Sequence, residues 1–175
     1  MSRAFFMITT GLFLVAAFCS VSASAAQKCK DSIMATSPES DYILHGDGTV
    51  TQKTTGLMWV QCSVGQQWDG SVCKGEATPF TWSEALKLAN LEAFAGYDDW
   101  RLPNKNQLES IVEGRCVTPS INLKVFPSTQ AAFYWTSSPY AGLGTGAWSV
   151  DFGYGVVTAT EKSGKLNIRL VRETE

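Results

Sequence analysis

The side chains best suited to ligand chemistry gather in the last third of the sequence. Tyr140 and Tyr154 stand in glycine-rich turns, where a ring stays accessible for stacking on a sugar face. Asp151 can accept hydrogen bonds from sugar hydroxyls, with Ser137 and Ser138 nearby in sequence. Lys162, Lys165, Arg169 and Arg172 supply cations for sulfate or carboxylate groups, and arginine can engage them through two parallel bonds. These residues form a candidate ligand-binding set. Trp135, Trp148 and Phe152 are set apart from it, because strand alternation sends them towards the core.

The same inventory is poor in catalytic groups. His45 is the single histidine, flanks a turn and has no nucleophile or second metal ligand beside it. Asp98 and Asp99 are consecutive, so their side chains diverge rather than flank a scissile bond. Ser137 has no histidine close in sequence to act as its base. A calcium loop needs oxygen ligands at alternating positions, and His45-Gly46-Asp47-Gly48 offers only Asp47. The reading is a non-enzyme with no metal and no cofactor.

Cysteine spacing and the amino end place the chain. Arg3, the apolar run Ala4–Phe18 and the small residues Ser22–Ala26 follow the order of a secretory signal peptide, so residues 1–26 are assigned to one. The leader takes Cys19 with it and leaves Cys29, Cys62, Cys73 and Cys116. An even set in an exported chain, without a C-x-x-C pair, indicates disulfides rather than zinc. Three pairings are possible. Cys62 and Cys73 enclose a short loop containing Gly65, Trp68 and Gly70, so they are paired, leaving Cys29 with Cys116.

The expected destination is the periplasm, the extracellular space or the cell surface. No second apolar run is long enough to span a bilayer. The net charge of −2 lacks the basic field of a general nucleic-acid binder. Residues 27–40 read as an extended lead-in fixed at Cys29, and residues 41–175 as one domain.

Positioning these residues requires an α+β chain. Asp47-Gly48 between Tyr42–Leu44 and Thr49–Thr51 signals a hairpin, and Gly56–Cys62 reads as a buried strand. Thr81 and Glu84 form a capping-box pattern before an amphipathic helix reaching Leu91, with Gly96 as its stop. The stretch Tyr97–Ile111 is the expected joint between the two halves. Trp100 and Leu102 alternate around Arg101, which is expected to pair with Asp98 or Asp99. Pro103 keeps Leu102 extended, and Asn104 with Gln107 caps a second helix over about Lys105–Glu113. Phe133–Ser137, Trp148–Phe152, Val156–Thr160 and Leu166–Val171 then read as antiparallel strands.

An ordered series of short motifs carries a family resemblance. It comprises Thr49-Val50-Thr51, Thr55-Gly56-Leu57-Met58-Trp59, Trp82-Ser83-Glu84-Ala85, Asp99-Trp100-Arg101-Leu102-Pro103-Asn104, Tyr134-Trp135-Thr136-Ser137-Ser138, Trp148-Ser149-Val150-Asp151-Phe152 and Arg169-Leu170-Val171-Arg172. Over about residues 41–172 the chain resembles the Lcl C-terminal domain family of bacterial collagen-like adhesins. The resemblance implies a C-type-lectin-like domain of two helices and irregular antiparallel strands, distantly similar to the formylglycine-generating enzyme fold. That enzyme's chemistry uses a reactive cysteine pair, whereas all four mature cysteines here are assigned to bridges. Adhesins of this family bind sulfated polysaccharides and self-associate. A glycan, sulfated or acidic among the candidates, or a cell-surface or envelope protein is therefore the implied partner, and a homo-oligomer is compatible with it. The alternative is a structural or assembly subunit of an envelope or surface-fibre complex.

Overall fold

The computed structural model describes residues 26–89, 93–142 and 144–174; the signal-peptide assignment and Leu91 of the first helix lie outside them. A four-stranded antiparallel sheet is built from β2 (Tyr42–Leu44), β3 (Thr49–Gln52), β4 (Leu57–Val60) and β11 (Val171–Glu173), in the order β11-β4-β3-β2. A three-stranded sheet follows in the order β10-β9-β8, from β8 (Phe133–Pro139), β9 (Gly146–Asp151) and β10 (Val156–Glu161). Two short ladders complete the strands: β1 (Lys28–Cys29) with β7 (Cys116–Val117), joined by the Cys29–Cys116 disulfide, and β5 (Gln67–Trp68) with β6 (Cys73–Lys74), where Cys73 is bonded to Cys62 just after β4. The helices are α1 (Trp82–Ala89) and α2 (Lys105–Glu109). Mostly antiparallel strands, two helices and two disulfides make this an α+β chain.

Alternation explains the layering. In β4, Leu57 and Trp59 enter one hydrophobic cluster with Leu108, Ile111, Phe126 and Tyr134, while Met58 and Val60 enter another with Ala85, Trp100, Trp135 and Leu170. Successive strand side chains point to opposite faces, so β4 and β8 are buried on both sides. The joint feeds both clusters: Trp100 and Leu102 on one side, Leu108 and Ile111 on the other. Reciprocal backbone bonds between Arg101 and Val171, at 2.9 and 3.0 Å, and a Ser137 N–H donated to the Pro103 carbonyl at 2.8 Å tie it to both sheets.

Both capping boxes form. Asn104 accepts from the Gln107 N–H and Gln107 accepts from the Asn104 N–H, each at 2.9 Å. At α1 the Glu84 carboxylate accepts from the Thr81 N–H and hydroxyl, both at 2.8 Å. The hairpin at Asp47-Gly48 also forms, and Gly48 has φ +89° with Trp68 packed so closely that a β-carbon would meet its ring at 2.8 Å. Both disulfides pair as expected, Cys29 with Cys116 and Cys62 with Cys73.

Four local expectations are corrected. The second helix ends at Glu109, because Val112 bridges Ile121 and Glu113 turns inward, where its carboxylate accepts the N–H groups of Thr36, Ser37 and Arg115. Gly96 does not stop a helix; with Ala95 it forms a tight positive-φ turn closed by Phe94 and Tyr97. Leu166–Leu170 make isolated bridges and crossing bonds to Phe80, Tyr134, Trp135 and Val60, so only Val171 onward forms a ladder. Arg101 pairs with Glu173, not with Asp98 or Asp99, and Asp99 pairs with Arg172.

Candidate functional site

The three-stranded sheet divides the candidate residues into two groups. At the end where β8 stops and β9 starts lie Tyr140, Lys162 and Lys165. At the opposite end, in the β9–β10 hairpin, lie Asp151 and Tyr154. Five residues of β9, Gly146 to Val150, lie between the two. Arg169 and Arg172 belong to neither.

The first end is built by the starts of both helices meeting the strand ends. Trp82, the first residue of α1, donates its backbone N–H to the Lys162 carbonyl at 3.1 Å and its indole N–H to the Thr136 carbonyl at 2.8 Å. The Thr136 hydroxyl in turn donates to the Trp148 carbonyl at 2.8 Å. Lys105, the first residue of α2, donates its N–H to the Ser138 hydroxyl at 3.0 Å. This lattice sets two half-buried indoles near two ammonium groups. The Lys162 Nζ lies 4.7 Å from the Trp82 ring centre, and the Lys105 Nζ lies 5.5 Å from that of Trp148. Tyr140 packs edge-on against Trp148 at 4.8 Å between ring centres.

Each lysine keeps one further anchor. Lys162 donates to the Gly144 carbonyl at 2.9 Å, and Lys105 stands 3.6 Å from the Glu109 carboxylate. Lys165 is exposed in the turn after β10. Hydrogen bonds from Thr81 draw the Glu84 carboxyl below its ordinary range, and the charges of Lys165 and Lys87 add to the shift. Aromatic faces beside held cations are suited to a flat, hydroxylated, anionic ligand. Trp148, which alternation assigned to the core, is only half-buried and carries the Lys105 contact at this sheet end. Lys105 and Trp82 were missed; the sequence marks each as the residue after a helix cap, but their meeting at this sheet end rests on bonds to distant strands.

At the other end, Tyr154 is 70% exposed at the hairpin tip. Asp151 accepts the Gly153 N–H through Oδ1 at 2.7 Å, so part of its carboxylate is spent on the turn.

The two arginines are corrected as ligand contacts. Arg169 is 0% exposed. Its guanidinium donates to the carbonyls of Val60 (3.0 Å) and Gln61 and to the Thr129 hydroxyl (2.7 Å), and it lies 4.8 Å from the Phe126 ring centre. Burial pushes its pKa down to about 10, opposed by Tyr134, so it stays charged at neutral pH. Arg172 is 7% exposed, donates to Asp99 at 2.6 Å and covers the Tyr97 ring at 4.0 Å. Trp135 and Phe152 are fully buried, as alternation required. His45 sits on the hairpin with its Nε2 2.9 Å from the Thr51 hydroxyl.

The sequence matches the Lcl C-terminal domain over residues 48–172. The chain belongs to this family. A search of the curated proteins found no match to this chain. The match to the Lcl C-terminal domain begins inside the first hairpin and takes in both helices, the three-stranded sheet and both buried arginines. A separate cleft of about 430 Å³, walled by Trp68, Phe94, Val64 and Leu170 beside Cys62, holds none of the candidate ligand residues. Among the described residues no helix is long and apolar enough to cross a membrane, and no three acidic, histidine or cysteine side chains gather into a metal-holding group.

Proposed function

We propose that the protein is an exported, non-catalytic, adhesin-like binding module with a C-type-lectin-like arrangement, acting in the periplasm or at the cell surface on acidic or sulfated glycans. The observation that carries this reading is the pair of lysine–indole contacts, Lys162 over Trp82 and Lys105 over Trp148, at one end of one sheet. Indole faces offer stacking area to a pyranose ring, and the ammonium groups offer charge to its sulfate or carboxylate substituents. Membership of the Lcl C-terminal domain family supports the reading. Two disulfides fit a chain that folds in an oxidising compartment.

The test is a glycan array probed with the oxidised protein at low and physiological salt. Sulfated or uronate-rich glycans should be retained at low salt and weakened at high salt, because exposed charges are screened beyond about 10 Å at 0.1 M. Lys105→Ala with Lys162→Ala should lower retention by about tenfold or more, equivalent to about 1.4 kcal/mol. Folded wild-type protein that ignores every acidic glycan overturns the reading.

A further inference from the structure

The described strands differ in how their outer edges are finished. The outer edge of β8 is closed by the crossing segment, where Asn167 donates to the Phe133 carbonyl at 3.1 Å and Trp135 donates to the Asn167 carbonyl at 2.9 Å. The free side of β11 is closed by Arg101. The edge strand β2 is only three residues long. In contrast, β10 runs for six residues and pairs with β9 alone.

The phase of its ladder follows from the bonds on either side. Lys162 donates to Thr145 at 2.8 Å, continuing the register Thr160↔Ala147 and Thr158↔Ser149. Antiparallel pairs alternate, so Thr158 and Thr160 direct their backbone groups to β9, while Val157 and Ala159 direct theirs outward. The outward N–H and C=O groups of Val157 and Ala159 have no partner among the described residues. The usual protections are missing too. Val156–Thr160 contain no charge, no proline and no bulge in the register with β9. Apolar side chains also lie exposed near this edge: Val156, 52% exposed, on β10 itself, and Phe133, 40% exposed, on the far side of Asp151 in the same cross-strand row.

We propose that β10 is a docking edge for an extended peptide segment of a partner protein, which adds as a further strand. Outward amide and carbonyl groups at strand spacing are complementary to the main chain of another strand. Val156 and Val157 put apolar surface on both faces next to the incoming chain, which selects β-branched or apolar side chains at the positions beside them. Glu161, exposed at the end of the strand, favours a basic residue at that end of the peptide. The proposal does not use Lys105 or Lys162 and stands apart from the glycan reading.

The probe is a capped peptide of alternating valine and threonine flanked by lysines, added to the oxidised protein while amide exchange is followed by NMR. Binding should slow exchange at the Val157 and Ala159 amides in particular. Ala159→Pro removes an outward N–H without breaking a bond to β9, a position where an edge strand tolerates proline. It should weaken binding by about fivefold to tenfold, the worth of roughly one hydrogen bond with its steric consequence. The same peptide N-methylated along one edge should fail against unmodified protein, a result independent of any folding defect in the variant. Unchanged exchange at Val157 and Ala159 with peptide present overturns the proposal, as does equal binding by the N-methylated peptide. Protection that rises with protein concentration in the absence of peptide overturns it in favour of a second copy of the chain.

Discussion

A buried guanidinium without a carboxylate is tolerated only where neutral acceptors surround it, and Arg169 meets that condition through carbonyls and hydroxyls contributed by Val60, Gln61 and Thr129. Arg169→Met would take this donor from the buried Val60 and Gln61 carbonyls, at about 1–3 kcal/mol each, while the Thr129 hydroxyl still donates to the Phe126 carbonyl, so a total loss of about 2–5 kcal/mol is expected in denaturant unfolding. Lys162→Ala, by contrast, removes one exposed cation–π contact worth about 0.5–1 kcal/mol and should act mainly on glycan binding. Arg172 holds the exposed Asp99 carboxyl below its ordinary value of 3.8. The native state therefore binds fewer protons than the unfolded chain in that range. The contribution is complete above the ordinary value and is lost as pH falls through the depressed one. Asp99→Asn should flatten the acid side of the stability profile, read as urea midpoints below about pH 5. The burial of both arginines was not legible as charge pattern, because cations at a strand end ordinarily read as surface. Their sequence neighbours carried the signal: Asn167 to Arg172 have apolar residues on both alternating faces, and all are buried. The acceptors for Arg169, however, come from positions 40 to 109 residues away, which no local pattern specifies.

Elements set by local chemistry were the ones readable in advance. A capping box needs residues only three apart, and the Asp47-Gly48 turn needs only a positive-φ glycine, so both helix starts and the first hairpin follow from short stretches. The far end of α2 was not readable, because the chain beyond Glu109 is diverted by a carboxylate, Glu113, that the amino-terminal segment seeks out through the N–H groups of Thr36 and Ser37. The lysine–indole surface shares this division. Its helix starts were legible, but their convergence on one sheet end depends on Trp82 and Lys105 binding backbone and hydroxyl groups of distant strands. Asn104→Ala removes one half of a reciprocal cap on a helix of five residues. It should cost about 1 kcal/mol in thermal or denaturant unfolding. Because Lys105 follows directly, the same change should also weaken acidic-glycan retention, whereas breaking the cap of an element remote from the site would affect stability alone.

For the whole molecule the two disulfides act at different ranges. Cys62–Cys73 closes a separation of 11 residues between the end of β4 and β6, while Cys29–Cys116 closes one of 87 and fastens the amino-terminal segment to the region after α2. Chain-entropy reasoning gives about 2.8 kcal/mol for the short loop and about 4.6 kcal/mol for the long one. The attached segment also has independent fastenings. Gln27 donates to the carbonyls of Pro119 and Ile121, each at 2.7 Å, and the buried Glu113 carboxylate accepts from Thr36 and Ser37. Replacing Cys29 and Cys116 with alanine should therefore lower the unfolding midpoint more than replacing Cys62 and Cys73, while leaving the segment docked in the native state. The measurement is paired: denaturant unfolding for the midpoints, and amide exchange at Thr36 and Ser37 for docking. If the bridge acts mainly by constraining the unfolded chain, the midpoint falls and the protection at Thr36 and Ser37 declines only in proportion to global stability. If those amides instead exchange freely in otherwise folded protein, the disulfide holds the native segment in place, and the entropy account fails for this bridge.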